Sequence, residues 1–492
     1  MHRRARLATR ILLAVLAAAA SAAGPLPPIA KGGIAVTIAS FVTVPASQGS
    51  PPLARLNLLT HAGDGSGRMF VNDMRGKIWV IQNGQVLPVP FLDATTALGG
   101  SLVTSGLQLG LSTFAFHPGY ATLGDPGYGL VYTVTHETTS SGTANFIAPT
   151  TPTFHNVISE WHVNLLDPNR LDTTRRQLLR IEGFSGDHPM GQIAFNPNLA
   201  SSHPDFGLLY AALGDGGGYI ASAGQEINPF QTAQNRTDPY GDILRIDPHG
   251  TSTPQHPTNG QYGIPPSNPY YGAGGGILEE IWAFGLRNPH RFGWDEGGAG
   301  KMLISDIGQA QIEEVDLGAA GANYGWRERQ GTYVLDPFNE NAVLPLPGND
   351  AQFGYTYPVA QYDHDEGSAI VGAGVYRGSD IPPLVGKYVF GDIVNGRIFY
   401  TDAAALVNGT QAPVYELVLV SGGQVVTLIQ LVGSTRVDLR FGVDESGEMY
   451  ALSKRDGVVR TLPEPAATAG LVAGTLVLCA LRRRAARWSA VI

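Results

Sequence analysis

Ile193-Ala194-Phe195-Asn196-Pro197 leads, through a turn-rich interval, to Leu208-Leu209-Tyr210-Ala211-Ala212-Leu213-Gly214-Asp215. Two apolar runs of strand length, each bounded by Asn, Pro, Gly or Asp, read as short strands joined by tight turns. The same layout recurs on both sides of this stretch. Upstream, Gly67-Arg68-Met69-Phe70-Val71 leads to Lys77-Ile78-Trp79-Val80-Ile81, and Phe114-Ala115-Phe116-His117-Pro118 to Leu130-Val131-Tyr132-Thr133-Val134. Downstream, Arg291-Phe292-Gly293-Trp294-Asp295 leads to Met302-Leu303-Ile304-Ser305-Asp306. Gly374-Val375-Tyr376-Arg377-Gly378 then leads to Tyr388-Val389-Phe390-Gly391-Asp392, and Arg440-Phe441-Gly442-Val443-Asp444 to Met449-Tyr450-Ala451-Leu452. A strand pair cannot bury both of its faces alone. Repetition around an axis hides the edges and builds a shared core. The expectation is an all-β chain: a six-bladed β-propeller of four-stranded antiparallel blades over residues 35–462.

Composition agrees with that reading. The chain has 63 glycines and 34 prolines, more turn chemistry than a helical protein needs, and 43% hydrophobic against 15% charged residues, which makes it core-forming rather than disordered. The net charge of −9 and the lack of an interior basic stripe argue against nucleic acid as the partner. Two stretches read as insertions over one end of the propeller. They are Thr135 to Asn156, rich in Thr, Ser and Pro, and Gly250 to Gly276, rich in Pro and Gly.

Both ends of the chain read as addresses. Arg3, Arg4, Arg6 and Arg10 precede an apolar run from Ile11 and the small residues Ser21-Ala22-Ala23-Gly24, the layout of a cleaved signal peptide over residues 1–23. At the other end, Pro463-Glu464-Pro465 precedes an apolar stretch from Ala466 to Leu481 and then Arg482-Arg483-Arg484 and Arg487. Basic residues after an apolar segment hold that end in the cytoplasm. The order resembles the PEP-CTERM sorting signal, here residues 463–488. That resemblance implies processing by an exosortase-type enzyme in a Gram-negative bacterium, only transient contact with the membrane, and delivery to the periplasm, cell surface or extracellular matrix. The alternative is a retained C-terminal apolar helix. The single cysteine, Cys479, lies in this segment, so removal leaves a thiol-free protein.

Four interior segments, taken together, carry a family resemblance. They are Gly110-Leu111 through His117-Pro118; Gly186-Asp187-His188 with Gly191-Gln192; Ala283-Phe284-Gly285-Leu286-Arg287-Asn288-Pro289; and Gly308-Gln309 through Glu313-Glu314 to Asn323-Tyr324-Gly325-Trp326. In this order they resemble the soluble glucose/sorbosone dehydrogenases, six-bladed propellers that use pyrroloquinoline quinone (PQQ) and calcium. The resemblance implies oxidation of an aldose or sugar aldehyde, with electrons passed on to an external acceptor. Such chemistry needs a base for the hydroxyl proton, for which a neutral histidine is suited, and a cation for the developing oxyanion.

By that resemblance His188 is the base, Asp187 orients it or binds a substrate hydroxyl, and Arg287 and Asn288 are the oxyanion and cofactor pair. Gln108 falls near the quinone, and the backbone carbonyls of Gly308 and Gln309 would hold calcium. Arg397, Arg436 and Arg440 are the candidates for the quinone carboxylates. Read without the resemblance, Glu313 and Glu314 are an acidic turn, and Trp282, Tyr324 and Trp326 are blade core. The chain departs from the family at Val394, where a lysine is expected, and Phe441-Gly442-Val443-Asp444-Glu445 resembles hedgehog-interacting-protein-like propellers. A non-catalytic propeller that binds carbohydrate or protein at the cell envelope is therefore the alternative.

Overall fold

The computed structural model describes residues 24–217, 226, 228–250 and 259–465. The signal-peptide and apolar-tail segments, and the centre of the Gly250–Gly276 insertion, lie outside the described residues. Among those described, the chain is all-β, with only two short α-helices, Ala94–Ala97 and Leu428–Val432, and a few 3-10 turns.

Six antiparallel four-stranded meanders follow one another. The first comprises Leu56–His61, Met69–Asp73 and Lys77–Gln82, with Gln85–Val86 and Leu92–Asp93 sharing its outer edge. The second is Leu111–Phe116, Leu130–Glu137, Phe154–Asn164 and Asp167–Gly183. The third is Met190–Phe195, Leu209–Leu213, Asp242–Ile246 and Ile281–Ala283. The fourth is Pro289–Trp294, Met302–Asp306, Ile312–Leu317 and Ala360–Asp363. Ile370–Val375, Lys387–Asp392, Ile398–Asp402 and Tyr415–Ser421 form the fifth, whose outer strand pairs in parallel with Ala30–Thr37. The sixth takes Leu439–Val443, Met449–Ser453 and Val458–Thr461 from the end of the fold and its outer strand, Ala39–Thr43, from the beginning. A small sheet of Arg329–Gln330, Tyr333–Leu335 and Val343–Pro345 is inserted in the fourth.

The first strand of each meander packs beside the first strand of the next, and the sixth beside the first. All six first strands line one axial cavity. This arrangement is consistent with a propeller. It explains why the second strands are built on continuous apolar runs rather than alternating ones. Met69–Asp73, Leu209–Leu213, Met302–Asp306 and Met449–Ser453 are buried at every residue because each is covered on both faces by neighbouring sheets. The six largest hydrophobic clusters each lie between consecutive meanders. Phe70, Phe114 and Trp161 join the first to the second, Tyr132, Phe195 and Leu244 the second to the third, and Leu59, Val71 and Leu452 the sixth to the first. The third and fourth meet at Trp282, Phe292 and Tyr324, the fourth and fifth at Tyr362, Tyr388 and Phe399, and the fifth and sixth at Val389, Leu417 and Phe441.

The expected insertion from Thr135 to Asn156 is shorter than the sequence suggests. Strands run through Glu137 and resume at Phe154. Glu313 and Glu314 are not a solvated turn. They sit within Ile312–Leu317 and are 0% and 8% exposed, because this third strand is sandwiched in the fourth meander. Burial raises both carboxyls above the ordinary range, with His364 on Glu313 opposing the shift.

Candidate functional site

At one end of the ring lie the segments entering the first strands and those leaving the second strands. Gln108, His188, Arg287 and Asn288 precede the first strands of the second, third and fourth meanders, while Asp215 and Gly308-Gln309 follow second strands. Residues distant in sequence therefore meet around the axis.

His188 Nδ1 lies 2.6 Å from Asp215 Oδ1. The same carboxylate accepts the N–H of Gly217 at 2.9 Å, Trp326 Nε1 at 2.7 Å and Asn228 Nδ2 at 3.3 Å. Burial pushes the Asp215 carboxyl up, but His188, Arg287 and the Gly217 N–H outweigh it and hold the group below the ordinary range. Burial and then the Arg287 charge lower the His188 imidazole, against the pull of Asp215. A neutral ring whose Nδ1 proton points at a carboxylate keeps its lone pair on Nε2, the tautomer that a general base needs. The side chain of His188 keeps 12% of its surface exposed. Its backbone is held at φ 50°, a left-handed conformation uncommon for residues other than glycine.

Gly214 is what lets these groups approach. A Cβ there would sit 2.7 Å from His188 Cβ and 3.1 Å from the Arg287 carbonyl oxygen. Asp215 N–H donates to that same Arg287 carbonyl at 2.8 Å, tying the base's partner to the arginine's backbone.

Arg287 is fixed from both sides. Its backbone N–H donates to Asp306 Oδ2 at 2.9 Å and that of Asn288 to Oδ1 at 2.6 Å, so one carboxyl clamps the pair. Burial pushes the Asp306 carboxyl up to about 7. The guanidinium donates to Gln309 Oε1 from Nη2 (2.7 Å) and Nε (3.0 Å) and to the Ile307 carbonyl at 2.9 Å, and it lies 5.5 Å from the Trp326 ring centroid. Gln108 closes the group on the far side. Its Oε1 accepts the His188 N–H at 3.2 Å and its Nε2 donates to Asp187 Oδ1 at 2.9 Å.

The structure thus brings His188, Asp187, Arg287, Asn288, Gln108, Gly308 and Gln309 to one end of the ring. Within the group, two expectations change. Asp187 is bonded to Gln108, and Asp215 holds the imidazole. Trp326 is not core alone, because its indole N–H serves Asp215 while its ring underlies Arg287. Gly308 is required by a close approach, since a Cβ there would lie 1.7 Å from the Ile312 carbonyl oxygen. Among the described residues, no group of three or more His, Cys, Asp or Glu side chains is placed to hold a metal ion, so a cation here would rest on carbonyl oxygens.

The three remaining arginines are engaged by other partners. Arg397 is bound by two carboxylates, Glu366 and Glu416 (2.7 Å), which consume its charge. Arg436 Nε donates to Asp438 at 2.5 Å. Arg440 is buried in the channel and donates to Asn57 Oδ1 at 2.9 Å.

Sequence reading missed Asp215, Asn228 and Lys454, whose Nζ donates to the Leu107 carbonyl at 3.0 Å beside Gln108. For Asp215 a signal existed in Leu213-Gly214-Asp215-Gly216-Gly217, a carboxylate at a strand end between glycines that permit close contact.

Comparison with known proteins adds the family. The glucose/sorbosone dehydrogenase profile matches residues 57–416. HIPL2 protein of Arabidopsis thaliana is 31% identical over 384 residues, covering 69% of this chain and 50% of that protein. Hedgehog-interacting protein of Mus musculus is 26% identical over 403 residues, covering 82% of this chain and 49% of that protein. The chain spans about half the length of these curated relatives. Among solved structures, a glucose dehydrogenase aligns with a TM-score of 0.59 at 17% identity, covering 88% of this chain and all of that one. The PQQ-bound aldose sugar dehydrogenase of Streptomyces coelicolor aligns with a TM-score of 0.52 at 18% identity, covering 89% and 99%. These structural likenesses establish the fold.

Proposed function

The chain belongs to the glucose/sorbosone dehydrogenase family, and from that premise we propose that it is a quinoprotein dehydrogenase acting on an aldose or sugar aldehyde. In this reading the six meanders are six propeller blades, and the protein is exported and loses both terminal segments. The observation that carries the proposal is the His188–Asp215 pair, a neutral imidazole oriented by a carboxylate, with the Arg287 cation fixed beside it.

The donor set offers a planar polycarboxylate quinone one cation, Arg287, and two side-chain amides. Arg287 and the amides of Asn288 and Gln108 would hold PQQ, with calcium on the carbonyls of Gly308 and Gln309. When bound, PQQ supplies the two-electron acceptor. The chain's own part is to accept the substrate hydroxyl proton at His188 Nε2, to hold the resulting imidazolium against Asp215, and to offset developing negative charge with Arg287. The Asp306 clamp keeps Arg287 and Asn288 in register, and Gln108 sets the His188 backbone.

Turnover with an artificial electron acceptor in the presence of PQQ and calcium tests the reading. His188→Ala should lower it by roughly 10²–10⁴-fold. Unchanged turnover in the variant would remove the base assignment. A second reading, a non-catalytic carbohydrate-binding or protein-binding propeller, is favoured by Val394 at the expected lysine position and by the engagement of Arg397 with Glu366 and Glu416.

A further inference from the structure

The channel is crossed by side chains just below the His188 group. Arg291 Nη1 donates to the carbonyls of His290 (2.9 Å) and Gly191 (3.2 Å), and its Nη2 to that of Asn57 (2.8 Å). Arg440 donates to Asn57 Oδ1 and, at 2.6 Å, to the Leu439 carbonyl. Asn57 Nδ2 in turn donates to the Ser112 carbonyl at 2.5 Å. Every one of these acceptors is neutral. Two further cations join the layer. Arg55 donates to the carbonyls of Thr104 and Leu109, and Lys454 to that of Leu107.

These four cations are 2–5% exposed. The carboxylates that face them are Asp438, already engaged by Arg436, and Asp73, already accepting the N–H groups of Arg55 and Arg75. Among the buried atoms here without a hydrogen-bond partner are Arg55 Nε and His290 Nε2, together with one oxygen of each facing carboxylate, Asp73 Oδ2 and Asp438 Oδ2. Four buried cations face two carboxylates, and Arg291 is bonded to neutral carbonyls alone, so the layer carries an excess of positive charge that an anion would offset. Burial and then Arg440 and Arg55 press the Lys454 amine well below the ordinary lysine value, in keeping with that excess.

The layer is reached at Arg291 from the opposite mouth of the channel. A cavity of about 670 Å³ there has Arg291 in its wall, beside Phe292, Gly293, Phe441 and Gly442. We propose that this layer is an oxyanion site, in which a carboxylate-, phosphate- or sulfate-type group entering through that cavity seats against the guanidinium groups of Arg291 and Arg440. Planar guanidinium forks suit such oxygens. The site does not depend on the quinone reading, because the cavity through which it would fill has none of His188, Asp215 or Gln108 in its wall.

Calorimetric titration of the purified protein without quinone, at low ionic strength, tests it with inorganic phosphate, sulfate, glucuronate and neutral glucose. The expected result is one site for a charged ligand, with a Kd of about 1 mM or tighter, and none for glucose. Binding of phosphate and sulfate identifies a free inorganic anion as the ligand; binding of glucuronate alone identifies an acidic sugar. Arg440→Met should weaken binding at least about tenfold. Lys454→Met, which relieves like-charge crowding and so should fold at least as well, should lose the anion-induced rise in Tm. No binding by any of the three anions, or an undiminished anion response in Lys454→Met, overturns the proposal.

Discussion

Replacing Asp215 by asparagine isolates the step on which the site depends. The carboxylate accepts four donors, from His188, Gly217, Trp326 and Asn228. Asparagine keeps its size but offers one acceptor oxygen and a donating NH₂ group. If the oxygen stays with Trp326, the NH₂ faces His188 Nδ1, which must then become the acceptor. The imidazole proton moves to Nε2 and the lone pair required for proton abstraction is lost. The charge that steadies the imidazolium is lost as well. Turnover should fall by roughly 10²–10⁴-fold, the contribution of a positioned base, equivalent to about 3–5 kcal/mol at 1.36 kcal/mol per tenfold. Long-range ¹H–¹⁵N correlation of the His188 ring reads the cause directly. The native protein should show the proton on Nδ1 and Asp215→Asn should show it on Nε2. A native ring protonated on Nε2, or a variant with both tautomer and turnover unchanged, would remove Asp215 as the group that sets the His188 tautomer.

Gly214→Ala should destabilise the fold by about 1–3 kcal/mol and lower turnover together, because its Cβ would press on His188 Cβ at 2.7 Å; chemical denaturation and steady-state rates check both. His117 is lowered by burial and then His249 from 6.5 to about 4, so its contribution is fully present above pH 6.5 and is lost as pH falls towards 4. The loss should be roughly 3 kcal/mol, and urea unfolding across that window should be flatter in His117→Gln. Intact-mass analysis of protein from a native-type host should show loss of about the first 23 residues and of Cys479 with the tail; a mass retaining Cys479 contradicts the sorting-signal reading.

The strand pairs were legible in the sequence because strands covered on both faces are rich in unbroken apolar runs, as in Leu209–Leu213 and Met302-Leu303-Ile304. Glu313 and Glu314 misled for the same physical reason. Acidic residues imply solvent, yet their strand is enclosed and their carboxyls are raised. That His188, Arg287, Asn288 and Gln108 lie together followed from motif resemblance. Asp215 was missed, because its role comes from a strand end in the third meander that meets the loop before that meander only through Gly214. The function of Trp326 was hidden similarly, since an indole donating to a buried carboxylate reads in sequence as another core aromatic. Arg397 shows the converse. Its position near Val394 suggested a replacement cation, but partners 31 and 19 residues away take its charge.

Equilibrium titration of the quinone-free protein with PQQ, in excess calcium and followed by quinone absorbance, tests the central claim most directly. The absence of lysine at Val394 removes one charge-assisted bond, about 1.5–3 kcal/mol, so affinity should be roughly ten- to a hundredfold weaker than in relatives that have it. The expected result is saturable binding of one quinone per chain, weakened by Arg287→Ala, with the bound quinone converted to its reduced form on addition of an aldose. No saturable binding even at high micromolar quinone would contradict the quinoprotein reading and favour a binding module.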